Sequence, residues 1–365
     1  MRKLCWLLLF ALLLVPFLAY PLTREEEIQI GREAAAEVEK EYKLSDDKDL
    51  LDKVDKIGKT IAAVSEDPSL PWTFKVVVSD EVNAFTLPGG FIYITTGLLN
   101  FVRTDDELAG VIAHEIAHAA RHHFIKLAEQ QAKTERQLAP FLLAALLGTQ
   151  GSDLENIYLG LQLVEIAKMH SYGQALEEDA DLAGARYLIL SKKYNPAGIL
   201  TFLQRLARME ERGVKQELGI LQTHPYAKER TANLLTFLRS TGSEFNERKA
   251  AGLYKLSVRP QGVDVTAVYI DDQLIAQFTG ENGKRAGEIL AENLDQLLDQ
   301  NLRVWEVSAK LLPNGNPAVV ARNKVLIEIT TDILPDKGKD PLTYAQTIAG
   351  NIRQRLLKEF INQIY

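Results

Sequence analysis

His114-Glu115-Ile116-Ala117-His118 decides how this chain is read. The five residues lie in an apolar run from Leu108 to Ala120 with no Pro, and no Gly after Gly110, so the stretch is expected to be helical. On a helix, residues four apart share one face, and both imidazoles can then reach one metal ion. Glu115 is turned by roughly 100° from His114, which sets its carboxylate beside the metal's open coordination position. Two histidine ligands and an adjacent general base are what zinc-assisted hydrolysis needs. The bland alternative is a helix with two surface histidines and a glutamate. The rest of the chain must discriminate.

A length of 365 residues leaves room for about two domains. Hydrophobic residues make up 46% and charged residues 25%, as in ordinary folded globular proteins. The formal net charge is -7 and no long basic run occurs, so there is no electrostatic case for a nucleic-acid partner. At the N-terminus, Arg2 and Lys3 precede an uncharged, Leu-rich stretch from Leu4 to Thr23. This is expected to be a secretory signal peptide over residues 1–22, cleaved near Ala19, or, if retained, an N-terminal membrane anchor. Membrane contact would then run through residues 4–23. In both cases the body is expected to be exported. The one cysteine, Cys5, lies inside this segment, so the body has no disulfide, cysteine nucleophile or cysteine-ligated zinc.

Residues 24 to 64 read as helical, with Glu25, Glu26 and Glu27 favouring a helix start. Thr73 to Val78 and Gly90 to Thr95 read as strands. Pro88, in Asn83-Ala84-Phe85-Thr86-Leu87-Pro88-Gly89-Gly90 between them, suits an edge strand or a bend. Leu138 to Leu147 is apolar but too short to span a bilayer, and reads as a core or lid helix. Helices follow over Leu176–Leu190, Ala197 to about Arg212, and from His224-Pro225 to about Ser240. Beyond residue 250 the pattern changes. Val265–Ile270, a turn at Asp271-Asp272 and Leu274–Thr279 read as a hairpin followed by a helix; Ala318–Ala321, Arg322-Asn323 and Val325–Thr330 repeat it, with another strand at Val304–Leu311 between. The expectation is an α+β chain. Residues 23–250 would form a mainly helical domain with a small sheet, and residues 251–365 a smaller α+β domain with duplicated strand-strand-helix units. All six histidines precede residue 225, so the second domain carries no catalytic set.

A catalytic zinc needs a third protein ligand. His122 lies a further turn along the row, roughly 6 Å on, and reaches the same ion poorly. His123 points elsewhere; both are expected to face solvent or pair with carboxylates. His170 is a minor candidate. The acidic helix start Glu177-Glu178-Asp179-Ala180-Asp181 offers Glu177 as a ligand, with Asp181 one turn later supporting a histidine's other nitrogen. It equally suits a helix start enriched in carboxylates. Helix geometry favours Glu177 over Glu178 without settling the choice. His224 would be a surface or capping residue, or a donor to a developing oxyanion.

Taken in order, these pieces resemble the zinc metallopeptidase family that includes HtpX, BepA, LoiP and the CAAX prenyl proteases. The amphipathic helix Glu25–Tyr42, the stretch Asn83–Gly90, Ile94-Thr95-Thr96-Gly97-Leu98-Leu99, the metal helix, the E-x-x-x-D pattern Glu177–Asp181 and His224-Pro225 with Arg230 all match, covering about residues 24 to 240. The resemblance implies a zincin-type fold and one Zn2+ held by His114, His118 and Glu177. Glu115 would be the base, and His224 would stabilise the tetrahedral intermediate. Asp181 and Arg230 would support the ligands. Asn83, Ala84 and Phe85 would lie on the strand that pairs with an extended polypeptide substrate. Gln174 departs from the family pattern, in which Arg often stands three residues before the ligand glutamate. The implied activity is an endopeptidase of the periplasm or cell envelope acting on unfolded or misassembled envelope proteins; an envelope protein is the candidate partner of the second domain, which the resemblance does not cover. The alternative is a largely latent protease acting as chaperone or scaffold.

Overall fold

The computed structural model describes residues 23–127, 172–213 and 219–364. The N-terminal segment 1–22, the apolar stretch Leu138 to Leu147 and His170 lie outside the described residues. The chain divides into two compact units, Met1–Ser243 and Glu244–Tyr365. No helix among the described residues is long and apolar enough to cross a membrane.

The first unit opens with α1 (Arg24–Glu41). Thr23 caps it by accepting from the Glu26 backbone N–H, while the Glu26 carboxylate accepts from Thr23 N, so two orphan donors are satisfied together. α2 (Lys48–Ala62) starts at Asp47, which accepts from two backbone N–H groups. Then come β1 (Thr73–Val77), β2 (Ala84–Leu87) and β3 (Phe91–Thr95). β3 sits in the middle, parallel to β1 and antiparallel to β2, so β2 is an edge among the described residues. A single 3-10 turn, Pro88–Gly90, joins β2 to β3. Gly89 has φ +74 there, and a Cβ on it would lie 2.7 Å from Ile28 Cα, so only glycine fits.

A short helix α3 (Thr96–Phe101) leads to α4 (Asp105–Ala120), capped by Thr104 and acidic in its first turn. Every residue of α4 from Glu107 to Ala120 is buried. A helix covered on all sides must be apolar all round or have its polar groups paired. α5 (Gln174–Ser191), α6 (Ala197–Glu211), α2 and β2 supply the cover. α7 (Gly219–Thr223) and α8 (Ala227–Ser240) complete the unit.

In the second unit the turn α9 (Glu247–Ala250) is held by Arg248, which donates to Asp295 and Asp299 at 2.6 Å. Residues 244–250, which the sequence alone assigns to the first domain, therefore belong to the second unit. β4 (Leu256–Pro260), β5 (Val265–Ile270) and β6 (Gln273–Thr279) form one antiparallel sheet, followed by α10 (Gly280–Asp299). β7 (Val307–Leu311), β8 (Pro317–Ala321) and β9 (Lys324–Glu328) form another, followed by α11 (Pro341–Ile364). Both hairpins turn through a left-handed residue, Asp271 at φ 54 and Arg322 at φ 53. Both carry a register shift shortly before it, at Val268/Tyr269 and at Val319/Val320. The duplication is thus strand-strand-strand-helix, one strand longer per unit than the sequence suggests. β4 escapes notice because its second half is exposed and ends in proline, with no apolar alternation to mark it. α10 packs on β5, β6 and β9, and α11 on β7, β8 and β6, so the repeats share one core around Phe278, Leu290, Val319 and Ile348.

Candidate metal centre

The i, i+4 spacing on α4 puts His114 and His118 together with their Nε2 atoms 3.0 Å apart. They are 6% and 1% exposed, which removes the surface-histidine alternative. α5 brings Glu177 to them: its carboxylate oxygens lie 3.5 Å from His114 Nε2 and 3.5 Å from His118 Nε2. Gly184 permits this approach, because a Cβ there would sit 3.0 Å from the Ala113 carbonyl carbon. Glu177 is fully buried, whereas the neighbouring Glu178 accepts from Gln174 at the exposed surface. Gln174 is thus spent on a surface amide–carboxylate bond.

Arg230 on α8 joins the parts. Its Nε and Nη2 donate to the two oxygens of Asp181 at 2.7 and 2.8 Å, and Nη1 lies 2.5 Å from Glu177 Oε2. The same nitrogen donates to the His224 carbonyl at 3.2 Å. A planar guanidinium suits this fork-like pairing where an ammonium would not. Asp181 in turn lies 2.9 Å from His114 Nδ1. His224 is placed among the candidate donors rather than apart from them: its Nδ1 is 3.0 Å from Glu177 Oε1 and 3.3 Å from His114 Nε2. Its Nε2 is 3.5 Å from Glu115 Oε1.

These side chains are nearly all buried and shift one another's ionisation. Burial works against charge on His114, but Asp181 and Glu177 outweigh it and raise its pKa to about 9. Burial dominates at His118 and lowers it to about 3. Burial also opposes ionisation of Glu177, yet Arg230 and His224 hold it well below the usual carboxylate range. Asp181 is lowered by Arg230 against the same burial.

Glu115 is 1% exposed. Its Oε2 accepts from Thr86 Oγ1 at 2.7 Å, and its Oε1 has no hydrogen-bond partner. Thr86 is on β2, so the edge strand itself orients this carboxylate. Next to it Phe85 points into the core, stacked on Tyr93 with centroids 5.3 Å apart, and Ala84 is fully buried. Asn83 Oδ1 accepts from Thr223 Oγ1 at 3.4 Å, and Ile220 N donates to the Val82 carbonyl at 3.0 Å. The segment that carries His224 is therefore laid against the start of β2.

Thr86, His123 and Tyr172 are absent from the sequence-derived site. Tyr172 stacks on the His118 ring at 4.0 Å. His122 pairs with Glu27 at 2.7 Å. His123 has no solvent exposure, lies 3.0 Å from Asp179, and turns its Nδ1 to His118 Nδ1 at 3.0 Å. Burial pushes His123 down to about 3, so it is neutral. Nothing in the local sequence separates it from His122; only the path of the chain does.

Four donors, from His114, His118, Glu177 and His224, lie within 4.8 Å of one another. Nitrogen and carboxylate lone pairs converging at that spacing fit a zinc-type cation. A mainly helical unit with a small sheet, two histidines one turn apart and a glutamate from a second helix is the arrangement of a zincin-type metallopeptidase domain. The model of peptidase family M48 matches residues 50–237, and the chain belongs to that family.

Similar proteins include the beta-barrel assembly-enhancing protease of Yersinia pestis, 30% identical over 190 residues, which cover 49% of this chain and 37% of that protein. The mitochondrial metalloendopeptidase OMA1 of Schizosaccharomyces pombe is 31% identical over 186 residues, covering 51% and 52%. Metalloprotease LoiP of Escherichia coli is 29% identical over 172 residues, covering 47% and 65%. The chain thus spans between 37% and 65% of the length of these relatives.

Proposed function

We propose that this chain is a zinc-dependent endopeptidase of the cell envelope that cleaves unfolded or misassembled envelope proteins. His114, His118 and Glu177 hold one Zn2+, and Glu115 is the general base. The observation that carries this reading is a buried cluster of four metal donors beside a carboxylate oxygen, Glu115 Oε1, with no hydrogen-bond partner. Zinc bound there would acidify water and polarise a peptide carbonyl. Glu115 accepts the water's proton at Oε1 while Thr86 fixes Oε2, and then returns the proton to the leaving amine. Arg230 and Asp181 keep Glu177 and His114 in place. The edge of β2 would receive an extended substrate through its backbone, since the Ala84 and Phe85 side chains are turned inward. The envelope assignment draws on the N-terminal apolar segment and on relatives named as β-barrel assembly-enhancing proteases. The second unit, Glu244–Tyr365, acts as an accessory domain for an envelope protein partner.

Metal analysis and cleavage of an unfolded polypeptide by the full chain test this reading. About one zinc per chain and cleavage that disappears in Glu115→Gln are expected. A chain without zinc, or a fully active Glu115→Gln variant, would overturn it.

One observation favours a second reading, a largely latent protease. With His224 as a fourth protein ligand, the zinc would have no open position. Turnover of His224→Ala separates the two. A fall of roughly 10²–10³-fold marks an oxyanion donor; a rise marks a latch.

A further inference from the structure

The two histidines on α4 are supported differently. The outer nitrogen of His114 faces a carboxylate, Asp181, at 2.9 Å. The outer nitrogen of His118 faces another imidazole, His123, at 3.0 Å. His123 passes the interaction on: its Nε2 is 3.0 Å from Asp179 Oδ2, and Asp179 Oδ1 accepts from Arg121 Nη1 at 2.6 Å. Arg121 Nη2 donates in turn to Glu66 Oε1 at 2.6 Å.

We infer that His123 is a positioning residue for His118, fixing its ring and its tautomer through a two-imidazole relay anchored on Asp179. The inference rests on His118 being a zinc ligand, as proposed above.

The hydrogen-bond directions have one consistent solution. A metal at His118 Nε2 needs that nitrogen's lone pair, so the proton sits on Nδ1. Nδ1–H donates to His123 Nδ1, which must be bare. The His123 proton is then on Nε2 and donates to Asp179. Each group meets a complementary partner, as a buried polar chain requires.

The backbone is shaped to make this contact. On an uninterrupted helix His123 would lie roughly 140° around the axis from His118. α4 instead ends at Ala120, and His122 adopts φ 55, in the left-handed region. That conformation is uncommon outside glycine, and histidine is among the residues that take it most readily. The break turns the chain so that His123 faces the back of His118, and His122 is held there by Glu27. Tyr172 covers the face of the His118 ring while His123 holds its edge.

The test is zinc affinity of the full chain, read by chelator competition, with melting of the metal-free protein as a control of folding. His123→Leu fills similar space but offers no acceptor. It should bind zinc about 10–100-fold more weakly, the usual cost of losing a partner of a ligating histidine. His123→Gln should recover most of the loss, because its amide oxygen can accept from His118 and its NH2 can donate to Asp179. Should His123→Leu fail to fold, Asp179→Ala reads the same relay from its surface end and should also weaken zinc. Unchanged affinity in the folded His123→Leu variant, or in Asp179→Ala, would overturn the relay, as would a His123→Gln variant as weak as His123→Leu. The metal-site reading fails separately, and the relay with it, if the unsubstituted chain takes up no zinc or if His114→Ala binds as tightly as the parent.

Discussion

The two units bury different things. In the first, α4 and its neighbours enclose His114, Glu115, His118, His123, Glu177, Asp181, His224 and Arg230, all at most 6% exposed. In the second, the shared core of the two repeats is aliphatic and aromatic. Its buried charged groups, Arg248 and Glu359, have local partners: Arg248 is tied to Asp295 and Asp299, and Glu359 lies one helical turn from Arg355. Burying a charge is costly unless it is paired, and several kcal/mol are at stake per unpaired group. A fold that concentrates such groups at one place, with Glu115 Oε1 left without a hydrogen bond, has spent stability on chemistry. The core of the second unit shows what the same chain builds from apolar side chains.

That contrast can be broken most directly at Glu177. Glu177→Ala should lose activity and most of its zinc, since it removes the carboxylate that faces both His114 and His118 and leaves only imidazoles in the cluster. Glu178→Ala, which alters only a surface bond, should keep most of both. Metal analysis showing the reverse would mean that the wrong carboxylate has been assigned.

Thr86→Val comes next. It is nearly isosteric and removes the donor to Glu115 Oε2. Zinc content should be unchanged and kcat should fall by something like tenfold, the scale of one lost hydrogen bond of about 1.4 kcal/mol. Thr86→Ser should restore it. A change in KM alone would remove Thr86 from the positioning of the base.

The buried histidines predict a pH signature in the metal-free chain. His114 is raised to about 9, so its contribution is complete below pH 6.5 and is lost as pH rises through about 9. His118 and His123 are lowered to about 3, so their contribution is complete above pH 6.5 and is lost as pH falls towards 3. The melting temperature should therefore be highest near pH 6.5 and decline on both sides. Apparent zinc affinity should climb from neutral pH towards 9, because the ion must displace the His114 proton. A melting temperature that rises steadily to pH 9 would contradict the histidine environments described here.

The smallest expected effect on the site sharpens the comparison from the other side. Phe278→Ala removes a fully buried ring from the second unit and should destabilise that unit by about 3–5 kcal/mol. Zinc content should not change, because no donor of the metal cluster lies in that unit. Loss of zinc would show that the first unit depends on the second.

Local spacing and composition made much of this legible. The i, i+4 histidines on α4 share a face because the helical repeat demands it, and the four-residue step from Glu177 to Asp181 places both beside Arg230 for the same reason. The hairpin turns at Asp271 and Arg322 and the helices after them were readable from alternation and period. By itself, then, the sequence determined the secondary structure around the site and which residue types stood ready for a metal. Only the tertiary structure decided which of two adjacent carboxylates is buried, that His224 joins the cluster of possible metal donors, that Thr86 holds Glu115, and that His123 rather than His122 turns inward. Each of those choices depends on elements far apart in the chain meeting at a particular rotation, from Thr86 and Glu115 to His114 and His224. Periodicity fixes a residue's direction within its own helix or strand, but which neighbour lies in that direction is set by packing.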